Sequence, residues 1–157
     1  MNKIQLINFV DLNMEQKKMI LNWRNHPNIR EWMYNKDIIT LESHLNYIKS
    51  LETQKDRVYF LVKDGKNAIG VIDLTSIDST NKTAEIGLYT NPFLKGYGKI
   101  LMTQIINYSF NELGLSSLYS NVFITNDAAI HLYKRFNFCE NKRENKLVYM
   151  ELKNENR

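Results

Sequence analysis

Apolar and polar residues alternate along Ile4-Gln5-Leu6-Ile7-Asn8-Phe9, a period near two that predicts a first strand. The period lengthens between Met14 and Asn25, where Met19, Ile20 and Trp23 fall on one helical face. Pro27 ends that helix, because a proline drives the residue before it out of the helical region. Thr40 is placed to cap a second helix carrying Leu41, Leu45, Ile48 and Leu51. Val58-Tyr59-Phe60-Leu61-Val62 and the run from Ala68 to Leu74 read as two strands, joined by the turn Asp64-Gly65-Lys66-Asn67. Ala84 to Tyr89 reads as a third. A long helix is predicted from Gly98 to Leu113, closed by Gly114, and then a strand from Leu118 to Phe123. Asn126 caps a further helix with Ala129, Leu132, Tyr133 and Phe136 on its apolar face, and Asn137 takes the left-handed stop. Two last strands, from Phe138 and over Leu147 to Leu152, are joined by the polar turn Lys142-Arg143-Glu144-Asn145.

This order of elements predicts an α/β protein with one mixed sheet and helices on its faces. A parallel strand pair with a right-handed crossover is expected between Glu85 and Phe123. There is no internal repeat, low-complexity tract or linker, so residues 1–157 are expected to form a single domain.

Composition narrows the class. The 157 residues are 43% hydrophobic and 24% charged, which is globular and not disordered. Apolar runs are only a few residues long, too short to span a bilayer. Met1 to Leu6 lacks the apolar stretch of a signal peptide, so a cytoplasmic protein without a membrane partner is expected. The single cysteine, Cys139, excludes an internal disulfide framework and a cysteine-built metal site, and no metal is expected. Cys139 itself reads as a small core residue on a late strand. The net charge of +4 suits an anionic small molecule or weak contact with nucleic acid and does not choose between them. The basic residues are dispersed, with neither an RNA-binding aromatic signature nor zinc-finger spacing, so no nucleic acid partner is expected.

Candidate chemistry concentrates in Tyr89-Thr90-Asn91-Pro92-Phe93-Leu94-Lys95-Gly96-Tyr97-Gly98-Lys99, which follows a predicted strand and opens a helix. Two glycines two apart let the main chain approach a ligand closely. The amides of such a loop, with a helix N-terminus behind them, converge on an anion such as a pyrophosphate. Lys95 and Lys99 add positive charge. Taken alone, the same segment is also read as a helix-initiating turn. The spacing is neither that of a Walker loop nor that of a dinucleotide fingerprint.

The loop resembles the coenzyme A-binding motif of the GNAT acetyltransferases, Gln/Arg-x-x-Gly-x-Gly/Ala, with Phe93 in place of the first residue and Gly96 and Gly98 at the small positions. A second segment, Asn126-Asp127-Ala128-Ala129-Ile130-His131-Leu132-Tyr133-Lys134-Arg135-Phe136-Asn137-Phe138, resembles that superfamily's Asn-x-x-Ala-x-x-Leu-Tyr-x-x-x-Gly-Phe, with Asn137 for glycine. The resemblance covers nearly the whole chain. It implies the GNAT fold, a mostly antiparallel mixed sheet with a splayed parallel pair. It also implies acetyl-CoA as co-substrate, held by Leu88, Tyr89 and Thr90, by Lys95, Gly96, Tyr97, Gly98 and Lys99, and by Asn126 and Tyr133.

By the same resemblance Tyr133 stands at the coenzyme sulfur and donates a proton to the leaving thiolate. It reads equally as a core aromatic, since it lies on the apolar face of its helix. An alkylammonium has a pKa of about 10, so amine acetylation also needs a proton acceptor. Strand alternation puts Glu85, Gly87 and Tyr89 on one face, and Glu85 is the leading candidate. His26 and His44 compete with it, and Asp73 is a weaker competitor.

The acceptor site is expected in the N-terminal third. Arg24, Arg30, His26, Trp23 and Trp32 cluster there in a pattern that suits an anionic planar guest or, equally, a solvated basic helix face. The Trp-Arg-Asn-His-Pro run at Trp23, the Leu-x-x-His-Leu run around His44, and Asn91-Pro92-Phe93-Leu94-Lys95-Gly96 look like the N-acetyltransferase family of pseudaminic acid biosynthesis. That family acetylates the 4-amino group of UDP-4-amino-4,6-dideoxy-N-acetyl-β-L-altrosamine, whose product feeds flagellin glycosylation. The resemblance implies a UDP-amino-sugar partner, with Arg24, Arg30 and lysines toward the UDP phosphates, Met33, His44, Tyr47 and Tyr89 around the sugar, and His26 among the substrate-binding residues. A ribosomal-protein-type N-terminal acetyltransferase and a non-catalytic coenzyme A sensor stay open at this point, as does a homodimer.

Overall fold

The computed structural model describes residues 3–157. Seven strands form one sheet in the order β1-β2-β3-β4-β5-β7-β6. β1 (Ile4–Asn8), β2 (Val58–Asp64), β3 (Asn67–Asp78) and β4 (Thr83–Thr90) make an antiparallel half. β5 (Ser117–Phe123), β7 (Leu147–Lys153) and β6 (Cys139–Glu144) make the other. The halves meet at the parallel pair β4 and β5, whose ladder is short: Thr83, Ala84 and Glu85 pair with Ser117, Leu118 and Tyr119. Beyond Glu85 the two strands part, and one edge of β4 has no strand beside it.

Helices cover both faces. α1 (Met14–Asn25), α2 (Pro27–Arg30) and α3 (Leu41–Ser50) follow β1, α4 (Gly98–Asn107) crosses from β4 to β5, and α5 (Asp127–Arg135) joins β5 to β6. Strand alternation sorts the core into two clusters. Leu61 and Val71 point toward α1 and α3 and pack with Phe9, Ile20, Trp23 and Ile48. Ile72, Leu74, Ala84, Ile86 and Leu118 point the other way and pack with Leu101, Met102 and Ile105 of α4 and Ile130 and Tyr133 of α5. Each such aliphatic side chain contributes about 1.5–3 kcal/mol when fully buried.

Local chemistry sets the element boundaries. Asn13 and Gln16 form a reciprocal capping box at the start of α1, and Thr40 Oγ1 accepts from Ser43 N–H at the start of α3. Asn137 adopts φ +71° after α5, the left-handed stop expected for it.

One expectation is extended and three are corrected. Pro27 does end α1, but it also occupies the first position of α2, where its missing N–H costs nothing. On α3 the buried positions are His44 and Ile48, while Leu41 is exposed. The crossover helix is α-helical only to Asn107 and finishes as a π-helical turn over Tyr108–Glu112. The last hairpin turns at Asn145-Lys146, both with positive φ, so β6 extends through Glu144. Two left-handed residues in a two-residue loop match the right-handed twist of the strands.

Candidate active site

The parting of β4 from β5 opens a cavity of about 1180 Å³. It is lined from both sides of the sheet. Arg24, Asp73, Glu85 and Tyr89 reach it from the side of α1 and α3, and Gly98, Ser120, Leu132 and Tyr133 from the side of α4 and α5. The cavity therefore passes through the sheet at the gap.

At one mouth sits the glycine loop. Gly96 has φ +86°, a conformation that L side chains rarely adopt, and nothing lies within 4 Å of where a Cβ would stand. Gly98 is confined for a different reason, since a Cβ there would come within 3.3 Å of Leu132 Cδ2. Asn91 braces the loop, accepting from Phe93 N–H at 2.9 Å and donating to the Ala68 carbonyl at 2.9 Å. Tyr97 precedes α4 without any side-chain cap, so the first amides of α4 keep their donors for an anion. Gly96, Gly98 and Lys99 line the cavity, whereas Lys95 and Tyr97 do not. Across the mouth Asn126 caps α5 through Oδ1, which accepts from Ala129 N–H at 3.2 Å. Its amide NH₂ makes no hydrogen bond among the described residues and borders the same cavity.

Tyr133 closes the middle. Its ring packs edge-on against Phe138, and its hydroxyl lies 3.0 Å from Ser120 Oγ. Burial pushes its phenol up to about 12, so it keeps its proton at neutral pH. Asp73 and Glu85 across the gap push in the same direction. The unpaired edge of β4, with Leu88 and Thr90, runs beside it toward the glycine loop.

On the acceptor side the floor is β2 to β4. Tyr59, Asp73 and Gly87 sit opposite one another on three adjacent strands. Tyr47 donates to the Tyr59 hydroxyl at 2.9 Å, and Arg57 donates to the Tyr47 hydroxyl at 3.3 Å. Burial raises Asp73 to about 7, with the Glu85 charge adding to it. Burial also raises Glu85, Tyr59 and Tyr89. Arg24 donates through Nη2 to the Asn35 carbonyl at 2.9 Å, while Nη1 is buried without a hydrogen-bond partner. Burial lowers its guanidinium pKa against the opposing pull of Tyr89 and Tyr59. The roof is residues 32–39. There Met33 lines the cavity, Tyr34 donates to the Asn121 carbonyl at 3.5 Å, and Lys36 lies over the Phe123 ring.

The structure separates the residues expected at the acceptor. Arg24, Met33, His44, Tyr47 and Tyr89 line the cavity, while His26 and Arg30 do not. His26 is the extended residue before Pro27. There it caps α2, with Nδ1 accepting from Asn28 N–H at 3.1 Å and its ring against Phe93. Arg30 donates to the main-chain carbonyls of Asn25 and Lys36. Trp23 is 2% exposed and belongs to the core, so only Trp32 remains open to a guest. His44 is buried, and its Nε2 lies 2.8 Å from the Lys17 carbonyl. A carbonyl only accepts, so Nε2 carries the proton, and burial lowers the ring's pKa. His26 therefore lies away from the acceptor, and His44 is held through Nε2 by the main chain. Cys139 is exposed on β6 instead of buried, outside the cavity. Sequence reasoning missed Ser120 and Asn121, which carry no motif. Their placement follows from β5 alternation once Tyr133 is fixed.

The acetyltransferase (GNAT) family model matches residues 18–138. The chain belongs to this family. Among curated GNAT relatives, the acetyltransferase PseH of Campylobacter jejuni strain NCTC 11168 is 40% identical over 96% of this chain and 94% of its own length. PseH of strain 81-176 is 43% identical over 86% of this chain and 84% of its own. A crystal structure of Campylobacter jejuni N-acetyltransferase PseH in complex with acetyl coenzyme A superposes with a TM-score of 0.83 at 36% identity, covering 97% of this chain and 99% of that one. The GNAT architecture, with its splayed parallel pair, accounts for the cavity through the sheet. Among the described residues no helix is long and apolar enough to cross a membrane, and no group of three or more His, Cys, Asp or Glu is placed to hold a metal.

Proposed function

We propose that this acetyl-CoA-dependent N-acetyltransferase acts on the 4-amino group of UDP-4-amino-4,6-dideoxy-N-acetyl-β-L-altrosamine, a cytoplasmic step of pseudaminic acid biosynthesis. One observation carries the acceptor class. The acceptor half of the cavity holds a buried guanidinium N–H with no partner, on Arg24, and two carboxylates, Asp73 and Glu85, with no hydrogen bond or ion pair among the described residues. A buried donor left unpaired costs about 1–3 kcal/mol, so the site is built for a guest that pairs it. A guest bearing both a diphosphate and an amine answers both needs. A polyamine would satisfy the carboxylates and leave Arg24 unpaired. A peptide N-terminus needs an open groove beside Glu85, and there Tyr34 reaches across to Asn121 and Phe123.

Chemistry follows from the arrangement. The glycine loop and α4 amides receive the coenzyme pyrophosphate, and the open edge of β4 offers main-chain partners to the amide-bearing arm. The thioester carbonyl then lies in the gap, with the amine approaching from the Glu85 side. The nitrogen attacks the carbonyl carbon, the C–S bond breaks, and the sulfur takes a proton. A free thiol has a pKa near 8.5. Handing it a proton from a phenol at about 12 is uphill by roughly 3.5 units, or about 5 kcal/mol. Tyr133 therefore donates only as it receives the proton the nitrogen sheds, with Ser120 holding its hydroxyl in line.

The test is thermal protection by UDP alone. A saturating nucleotide should raise the wild-type melting temperature by several degrees and leave Arg24→Gln unmoved. If acetyl-CoA protects and UDP does not, the nucleotide-sugar reading is abandoned.

A further inference from the structure

We infer that Asp73, reaching the gap across Gly87, receives the proton of the acceptor ammonium, and that Glu85 is its electrostatic partner. The inference rests on the amino-sugar reading of the same site.

Position supports it first. Asp73 lies on β3, one strand back from the gap, and a side chain on β4 at its partner position would screen it. That partner is Gly87. A Cβ built on Gly87 would meet Asp73 Oδ2 at 2.8 Å and Oδ1 at 3.1 Å, so the carboxylate lies over β4 in the space a methyl group would fill. The pairing of β4 with β5 ends at Glu85, two residues earlier. Gly87 is thus level with the opening, and Asp73 looks through it. Glu85 sits at the closed end of the gap, diagonal to Asp73 across β3 and β4, a spacing of about 7 Å.

The surroundings support it next. The groups facing Asp73 are Tyr59 from β2, Glu85 and Tyr89 from β4, and Tyr133 from α5. Behind them, Tyr47 of α3 holds Tyr59, and Arg24 of α1 faces Tyr89 and Tyr59. None is a cation pairing the carboxylate. Among the described residues it accepts no hydrogen bond, and it is half-buried on the wall of the cavity. A carboxylate so placed binds an ammonium well and holds a proton well. Burial and Glu85 raise it to about 7, close to the pH at which a base is most effective.

The proton balance closes. Asp73 carboxylate takes one proton from R–NH₃⁺. R–NH₂ forms the N–C bond to the acetyl carbon, and the nitrogen's second proton passes through Tyr133 to the sulfur as the C–S bond breaks. Asp73 returns its proton to solvent, so acetyl-CoA and R–NH₃⁺ become CoA-SH, the amide and H⁺.

The experiment compares wild type, Asp73→Asn, Glu85→Gln and Gly87→Ala by thiol release from acetyl-CoA with the UDP-4-amino-sugar, across pH 5.5 to 9. Wild-type kcat/KM should rise through about pH 7. Asp73→Asn should lose about a hundredfold in kcat, and its rate should climb steadily to pH 9 with no levelling above about pH 7, with thermal protection by acetyl-CoA intact. Glu85→Gln should move the limb to lower pH without abolishing it, because a like charge is removed. Gly87→Ala should lower kcat more than it changes the KM for acetyl-CoA, by pushing the carboxylate off β4. An unchanged limb in Asp73→Asn, or its disappearance in Glu85→Gln alone, overturns the inference. Wild-type silence toward the sugar defeats the sugar reading instead. In that case the ¹³C titration of the Asp73 carboxyl in the free protein decides: a midpoint near neutrality sustains the role, and one in the ordinary range near 4 ends it.

Discussion

The hydroxyls of Tyr133 and Ser120 lie 3.0 Å apart, one on α5 and the other on β5, at the point where the sheet opens. This pair fixes where the phenol oxygen sits. Tyr133→Phe keeps the ring and its packing on Phe138 but removes the proton. Turnover should fall about a hundredfold or more, with acetyl-CoA affinity nearly unchanged by calorimetry. Ser120→Ala, which frees the hydroxyl without removing it, should cost less than tenfold. Equal loss of binding and turnover in Tyr133→Phe would assign the residue to the wall of the site.

His26 tests the division between structural and functional residues in the N-terminal third. It caps α2 and meets Phe93 edge-on outside the cavity. His26→Ala should therefore cost about 1 kcal/mol of stability in urea unfolding and leave the acceptor KM within twofold. A large rise in acceptor KM at unchanged stability would return His26 to the acceptor site.

Much of this was legible in the chain. Gly96 and Gly98 announced the loop that lines one mouth of the cavity, and Asn126, Tyr133 and Asn137 sat on a helix with a recognisable cap, face and stop. Strand alternation placed Glu85 and Tyr89 on one face, which the two core clusters bear out. What stayed hidden depends on register. Asp73 matters because β3 sets it opposite a glycine, and no local pattern encodes which residue of β4 it meets. Arg30 and His26 looked like ligands because the sequence shows charge and ring but not that the nearby main chain consumes them. The π-helical turn at Tyr108–Glu112 leaves the apolar spacing almost unchanged, so periodicity passes over it.

Asp73 also predicts a trade between activity and stability. Its folded pKa is raised to about 7, above an unfolded value of about 3.9. The folded state holds the proton more tightly, so stability is highest below the unfolded value and declines as pH rises from about 4 to about 7. Above that range the buried charge keeps the protein less stable. Asp73→Asn removes the charge, so its melting temperature should exceed the wild type's by more at pH 8 than at pH 4.5. A gap that is constant with pH would mean that the carboxyl titrates normally in the folded protein.

The central claim is that this cavity joins acetyl-CoA to the amine of a nucleotide sugar. Its most direct test is thiol release from acetyl-CoA with three acceptors in parallel: the UDP-4-amino-4,6-dideoxy sugar, UDP-N-acetylglucosamine, which has no free amine, and a ribosomal-protein N-terminal peptide. The account predicts turnover with the first alone. Turnover with the peptide and not the amino sugar would contradict it, and so would acetyl-CoA binding without thiol release from any of the three.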